Sequence, residues 1–330
     1  MMYHRLRVTR VIEETPDAHS LVLSVPPDLA PTFAYRPGQY LTLRVPHSHG
    51  IAARCYSLSS SPYTETDLKI TVKRVPDGPA SNWICDHIRV GAALELMPPA
   101  GTFTPASLDD DLLLLAGGSG ITPVMSIIKA VLAGGRGRLA LVYANRDQGS
   151  VIFAAELAAL SEQHRDRLSV IHWLDSERGT PEPATLATLI TPWAGREAYV
   201  CGPAPFVAVA HDTLQRAGVP ANRIRVERFE VEERRSADDR DATLEVELDG
   251  QTHRLPWPAG ARLLDVLIAA GLNAPFSCRQ GHCGACACRL LDGQVDLVHN
   301  EILEEEDFAE GYTLACQAVA RSEQVSVTYY

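Results

Sequence analysis

Residues 276–288 read FSCRQGHCGACAC, a C-x4-C-x2-C array of Cys278, Cys283 and Cys286, and Cys316 in TLACQA completes it after 29 intervening residues. Thiolates are the soft ligands that iron in a sulfide cluster takes, and one three-cysteine loop plus a distant fourth cysteine is the plant-type [2Fe–2S] spacing. Gly281 and Gly284 suit such a loop, since a chain wrapping a cluster needs positive φ and backbone N–H groups that can face sulfur. Four cysteines also make a structural zinc site, but zinc ribbons pair two short knuckles. Cys288 is a fifth thiol, x4 from Cys283 with no C-x2-C after it, and reads as a buried structural cysteine. Arg279 and His282 read as solvated or packing groups, either able to raise the cluster potential by local positive charge.

Outward from this loop, TLEVELDGQTHRL (243–255) reads as a hairpin turning at Asp249-Gly250, and RLLDVLIAAGL (262–272) as an amphipathic helix ended by Gly271. A β-grasp, ferredoxin-like domain over 242–330 is expected. Before it, EVEERRSADDRD (230–241) has no apolar periodicity and reads as a solvated linker. Residues 107–229 alternate apolar strands with helical stretches: LLLLAGG, RLALVYANR, FAAELAALSEQH, LSVIHWL, EAYVCGP, FVAVAHDTLQRAG. That is the rhythm of βαβ units on a parallel sheet. Residues 1–106 run instead in short alternating stretches between Pro and Gly turns, the pattern of an antiparallel β-barrel.

The 330 residues fit two or three domains by length, and 46% hydrophobic with 22% charged residues is a soluble globular composition. No apolar run approaches the ~20 residues that cross a bilayer. MMYHRLRVTRVIEE has no apolar core of a secretory signal, so a cytoplasmic address and no membrane partner are expected. Lys and Arg against Asp and Glu number 22 to 22 over 1–229, 3 to 6 over 230–241, and 5 to 13 over 242–330. The acidity of the last third argues against nucleic acid, and for solubility or docking onto a basic protein surface.

Several further motifs lie ahead of the cluster loop. RCYSLSS (54–60) is followed by TVKRVPDGPASNW (71–83), where Ser81 reads as the N-cap of a helix, a ready anion site. LLLLAGGSGITPVMSII (112–128) is a strand, a Gly-rich turn and a helix with Thr122 as cap and Pro123 at its first position. YVCGPAPF (199–206) and VERFE (226–230) come later. Together these motifs resemble the ferredoxin–NAD(P) reductase superfamily. The resemblance implies that Arg54 pairs with the FAD pyrophosphate, Tyr56 lies against the isoalloxazine and Ser57 bonds near its reactive nitrogen. Val72 and Lys73 would follow the flavin, with Gly78 and Ser81 under its pyrophosphate. Gly117, Gly118, Gly120 and Thr122 would hold the pyridine-nucleotide pyrophosphate, and Cys201, Gly202 and Pro203 would border the nicotinamide. Tyr56, Ser57 and Cys201 would thus stand nearest the chemistry. Arg146 could accept a ribose 2′-phosphate that Asp147 would repel, so NADH is expected with NADPH still open. Phe229 returns to the flavin or belongs to the core.

The order of FAD barrel (1–106), NAD(P) domain (107–229), linker (230–241) and [2Fe–2S] domain (242–330) resembles the reductase components of bacterial oxygenases, particularly those of 3-ketosteroid 9α-hydroxylation and phenylacetyl-CoA epoxidation. It implies an oxidoreductase passing electrons from NADH through FAD to the cluster and on to a terminal oxygenase, here a Rieske enzyme of the 3-ketosteroid type. A diiron epoxidase and a [2Fe–2S] redox sensor are the alternatives. NAD(P)H gives two electrons as hydride and the cluster takes one, which requires a flavin between them. The acidic run EILEEEDFAE (301–310) is either a docking face for the oxygenase or a solvated helix face.

Overall fold

The computed structural model describes residues 3–47, 50–76, 78–229, 240–276, 281, 284–300 and 302–329. The chain divides into two compact units, residues 2–230 and 231–330. Among the described residues no helix is long and apolar enough to cross a membrane.

The larger unit begins with β1 (His4–Thr15), β2 (Ala18–Ser24), β3 (Tyr40–His47), β4 (Gly50–Ser57), β5 (Leu68–Lys73), α1 (Pro79–His87) and β6 (Ala93–Leu96). These strands make an antiparallel sheet in the order β4-β3-β6-β1-β2-β5. Their period-2 patterning turns Leu6 and Val8, Leu41 and Leu43, and Ile70 and Val72 into one core beneath Ile84 of α1. The outermost strands meet where β4 ends: Leu58 bridges Ile70, and Ser59 N–H donates to Lys69 O at 2.7 Å.

A second sheet follows, with β7 (Leu112–Gly117), α2 (Ile121–Gly134), β8 (Leu139–Asn145), α3 (Ala154–Gln163), β9 (Leu168–Leu174), α4 (Asp175–Arg178), α5 (Pro183–Ile190), β10 (Glu197–Gly202), α6 (Ala204–Arg216) and β11 (Ile224–Arg228). All pairings are parallel in the order β11-β10-β7-β8-β9. Every residue of β7 and β8 is buried, as expected where helices cover both faces. Strand order reverses between β7 and β10, so a crevice opens at their carboxyl ends, where Gly117–Gly120 and Gly202-Pro203 lie.

Four charges join the two sheets. Lys129 of α2 reaches Glu65 at 2.8 Å and Glu156 of α3 at 3.2 Å, and Lys69 of β5 reaches Glu156 at 3.3 Å. The two ammonium groups are nearly buried, and Lys69 also lies over the Phe153 ring.

Two helices start earlier than the sequence reading has them. Gly78, not Ser81, caps α1, because Pro79 already supplies helical φ; a 3₁₀ turn over Gly118–Gly120 runs directly into α2 at Ile121, which leaves Thr122 inside the first turn.

The C-terminal unit contains β12 (Ala242–Leu248), β13 (Gln251–Trp257), α7 (Leu263–Ala269), β14 (Ala287–Asp292), β15 (Val295–Leu297), α8 (Glu305–Ala309), β16 (Tyr312–Leu314), β17 (Ala318–Ala320) and β18 (Gln324–Thr328). The main sheet is mixed, β13-β12-β18-β14-β16, with β12 and β18 parallel. The β12–β13 hairpin turns on Asp249 and Gly250 at φ 51° and 73°, the Asp-Gly turn expected. Leu263, Leu264 and Leu267 of α7 pack with Leu244, Val246, Val325 and Val327 into its core.

Candidate functional site

The flavin-side residues come from three places that the first sheet brings together. Strand β4 carries Arg54, Tyr56 and Ser57, β5 ends on Lys73, and α1 begins beside Gly78 and Ser81. A cavity of about 290 Å³ is lined by all six, together with Thr122 and Phe229. Ser81 ties the turn before α1 to the helix, its hydroxyl accepting from Val75 N–H at 3.1 Å and donating to Gly78 O at 3.2 Å. Burial pushes the Tyr56 phenol up, against the pull of Arg54, so the ring is a neutral, polar-tipped face. Phe229 is 39% exposed and stands on the cavity wall, so it is no core residue. Val72 is fully buried in the sheet core, and Gly117, Gly118, Gly120, Arg146, Cys201, Gly202 and Pro203 are not part of the lining.

Of these, Gly117, Gly118, Gly120, Cys201, Gly202 and Pro203 gather at the carboxyl ends of β7 and β10. A Cβ on Gly120 would collide with the carbonyl of Cys201, so this close approach of the turn to β10 demands glycine. Thr122 donates to Ser119 O at 3.0 Å within the turn. Cys201 is wholly buried and paired in register with Glu227; burial, reinforced by Glu227, holds its thiol protonated well above the ordinary range. Ser57 donates to buried Glu227 at 3.4 Å, which joins β4 to β11 across 170 residues of chain.

Asp17, in the turn between β1 and β2, was signalled by no motif. Its Oδ2 lies 3.1 Å from Arg146 Nη2 and 3.7 Å from Lys73 Nζ, while Thr15 holds Oδ1 at 2.7 Å. Arg146 follows the end of β8, and its guanidinium therefore has a carboxylate from the first sheet against it. Asp147 instead accepts from Ser150 N–H at 2.9 Å and from the Ser150 hydroxyl at 2.8 Å, which hold its carboxyl below the usual range. Asp17 escaped the sequence reading because its partners lie 56 and 129 residues away.

In the C-terminal unit, Cys286 and Cys316 are both buried, and Cys316 N–H donates to Cys286 Sγ at 3.4 Å. Gly281 has φ 81°, and a Cβ there would press on His299 O and the Gln317 side chain. Two buried cysteines, a backbone N–H donated to one of their sulfurs and a cradle that a Cβ would fill fit an iron–sulfur cluster, whose plant-type form takes four thiolates. Cys278 and Cys283, with Arg279 and His282, lie outside the described residues. Cys288 is 2% exposed within β14, opposite Thr313, and burial pushes its thiol up to about 12. In the acidic run, Glu304 and Asp307 form a capping box on α8, so two of its carboxylates are engaged locally; Glu305, Glu306 and Glu310 remain exposed beside Ile302 and Phe308. Glu301 lies outside the described residues.

Three family models match in sequence: an oxidoreductase FAD-binding domain over residues 5–104, an oxidoreductase NAD-binding domain over 114–212, and a 2Fe-2S iron-sulfur cluster binding domain over 246–321. The chain is 51% identical over 340 residues to the 3-ketosteroid-9-alpha-monooxygenase ferredoxin reductase component of Mycobacterium tuberculosis (strain ATCC 25618 / H37Rv), covering 98% of this chain and 95% of that one. It is 32% identical to one of the subunits of the 1,2-phenylacetyl-CoA epoxidase of Escherichia coli (strain K12), covering 99% of this chain and 98% of that one. Among solved structures, phthalate dioxygenase reductase superimposes with a TM-score of 0.70 at 25% identity, covering 99% of this chain and 98% of that one.

Proposed function

From the premise that the chain belongs to the family of ferredoxin reductase components of oxygenases, with FAD-binding, NAD-binding and 2Fe-2S domains, we propose that it supplies electrons from NADH to a monooxygenase acting on 3-ketosteroids. The observation carrying the substrate class is identity of about half the residues along nearly the whole of both chains. The epoxidase relative, at 32%, supports the weaker reading of an acyl-CoA oxygenase.

FAD, when bound, takes two electrons as hydride and releases them singly to a one-electron centre. The chain's own residues bind and orient. Arg54 would pair with the FAD pyrophosphate, and the N-terminus of α1, entered through Gly78 and Pro79, would offer it the N–H groups of its first turn. Tyr56 offers a flat neutral face, and Ser57, held by Glu227, fixes the polar edge of the cavity. The Gly117–Gly120 turn and the N-terminus of α2 would hold the nucleotide pyrophosphate. Cys201, wholly buried where the Gly120 turn meets β10, would back the nucleotide site as a protonated thiol rather than act as a nucleophile. Cys278, Cys283, Cys286 and Cys316 are the cluster ligands in this reading. Arg146, already facing Asp17, has its charge answered from within, which favours NADH over a 2′-phosphorylated nucleotide. The residues 1–106, 107–229 and 242–330 are taken as three functional domains around the linker 230–241. A cytoplasmic setting fits the supply of NADH.

The test is reconstitution. The purified protein should show flavin and [2Fe–2S] absorption that bleaches with NADH, and with a 3-ketosteroid oxygenase it should sustain NADH-dependent hydroxylation. Support of a phenylacetyl-CoA epoxidase but of no steroid oxygenase would overturn the substrate assignment.

A further inference from the structure

Arg262 precedes α7 and is 8% exposed, an unusual depth for a guanidinium. It donates through Nη1 to the Cys316 carbonyl at 3.2 Å and to the side-chain oxygen of Gln317. Gln317 is 2% exposed, and its Nε2 lies 3.5 Å from Cys316 Sγ. Its backbone is pinned on both sides, by Gln317 N–H on Leu314 O at 2.8 Å and Val298 N–H on Gln317 O at 3.0 Å. A guanidinium has donors only, so the amide must present oxygen to Arg262. The amide nitrogen is then left facing the cysteine sulfur. Across from it, the missing Cβ of Gly281 makes room for the same side chain.

We infer that Gln317 donates an N–H···S hydrogen bond to the Cys316 sulfur that raises the reduction potential of the cluster, and that Arg262 is the positioning residue that aims it. This rests on the reading of Cys316 as a ligand. Reduction adds one electron and no proton, so the new negative charge spreads over iron and its sulfurs. A donor on a ligand sulfur stabilises that charge more than it stabilises the oxidised state, as hydrogen bonds to sulfur do in such centres. Gln317→Leu removes the donor at similar volume. Gln317→Glu keeps a partner for Arg262 and still cannot donate as a carboxylate.

The experiment is an EPR-monitored redox titration of the full-length holoprotein. The Gln317→Leu variant should retain the cluster and shift its one-electron equilibrium toward the oxidised form by about fivefold, the worth of one hydrogen bond; that is roughly 40 mV where tenfold equals 59 mV, and Gln317→Glu, which adds a negative charge as well as losing the donor, should shift it further the same way. A potential unchanged in a fully loaded Gln317→Leu protein would overturn the proposal, because a packing role alone predicts that result. Should the variants assemble no cluster, pulsed EPR of the unaltered reduced protein carrying side-chain ¹⁵N-glutamine decides: a resolved coupling supports the bond, and its absence overturns it. A cluster spectrum unaltered in Cys316→Ser would remove the ligand assignment itself, and the role of Gln317 with it.

Discussion

Asp17 stands between two cations that a dinucleotide's phosphates would also seek, Arg146 at 3.1 Å and Lys73 at 3.7 Å. Replacing it with Asn frees Arg146, whose side chain is 70% exposed and able to swing to a 2′-phosphate. Because exposed ion pairs are weak, kcat/KM for NADPH relative to NADH should rise only about two- to fivefold in Asp17→Asn. The gain should vanish in the Asp17→Asn/Arg146→Gln double variant; steady-state reduction of an artificial acceptor with each nucleotide measures both. Cys288 makes a second residue-level test: Cys288→Ala should keep the full visible absorption of the cluster, whereas loss of that absorption would make Cys288 a ligand. Candidate residues were legible where chemistry and spacing coincide in a short segment, as in the 276–288 loop or RCYSLSS. Asp17 and Gln317 were not, since a carboxylate in a turn and an amide after a cysteine acquire meaning only from partners that the fold brings in.

At the scale of elements, the sequence reading found most strands and helices of residues 1–229 and the β12–β13 hairpin with α7, gave no element for α5 or for β14 to β18, and erred at helix starts. Ser81 and Thr122 look like caps because hydroxyls before an apolar run usually are. Pro79 starts α1 and the Gly118–Gly120 3₁₀ turn starts α2 before either hydroxyl is reached, and both hydroxyls serve inside the turn. The charges joining β5, α2 and α3 were also invisible, since Lys69, Lys129 and Glu156 sit in stretches whose neighbours are strand or helix by pattern. Burial would raise the Glu156 carboxyl, but Lys129 and Lys69 outweigh it and hold the group below its ordinary value. Its contribution to stability is therefore complete above the usual glutamate range near ~4.3 and is lost as pH falls through the folded value. Lys129→Met should destabilise the protein by about 2 kcal/mol at neutral pH, less than the roughly 3–5 of a fully buried pair because the carboxylates are a third exposed. Urea unfolding at neutral and at acid pH should show that penalty shrinking as the carboxylates protonate.

Across the whole molecule, charge is balanced over residues 1–229 and strongly acidic over 242–330. Oppositely charged surfaces accelerate transient encounters, and salt screens them. Stopped-flow reduction of the partner oxygenase should slow by about tenfold or more between low and high ionic strength, while reduction by NADH within the chain should change little; a salt-independent partner rate would refute electrostatic docking. The sequential order of sheets was legible because parallel and antiparallel strands differ in patterning, continuous in β7 and β8 and alternating in β3, β5 and the start of β1. What patterning could not convey is the reversal of strand order between β7 and β10, which depends on which strands become neighbours.

Oxidants attack a redox protein through the thiols that its cluster does not use. Here burial keeps Cys85, Cys201 and Cys288 as protonated thiols, raised above their ordinary range. Oxidation begins with the thiolate, so these three resist conversion to sulfenic acid. Among the described cysteines outside the cluster set, Cys55 alone is half-buried, and it lines the cavity assigned to FAD, so its oxidation should speed up when the flavin is removed.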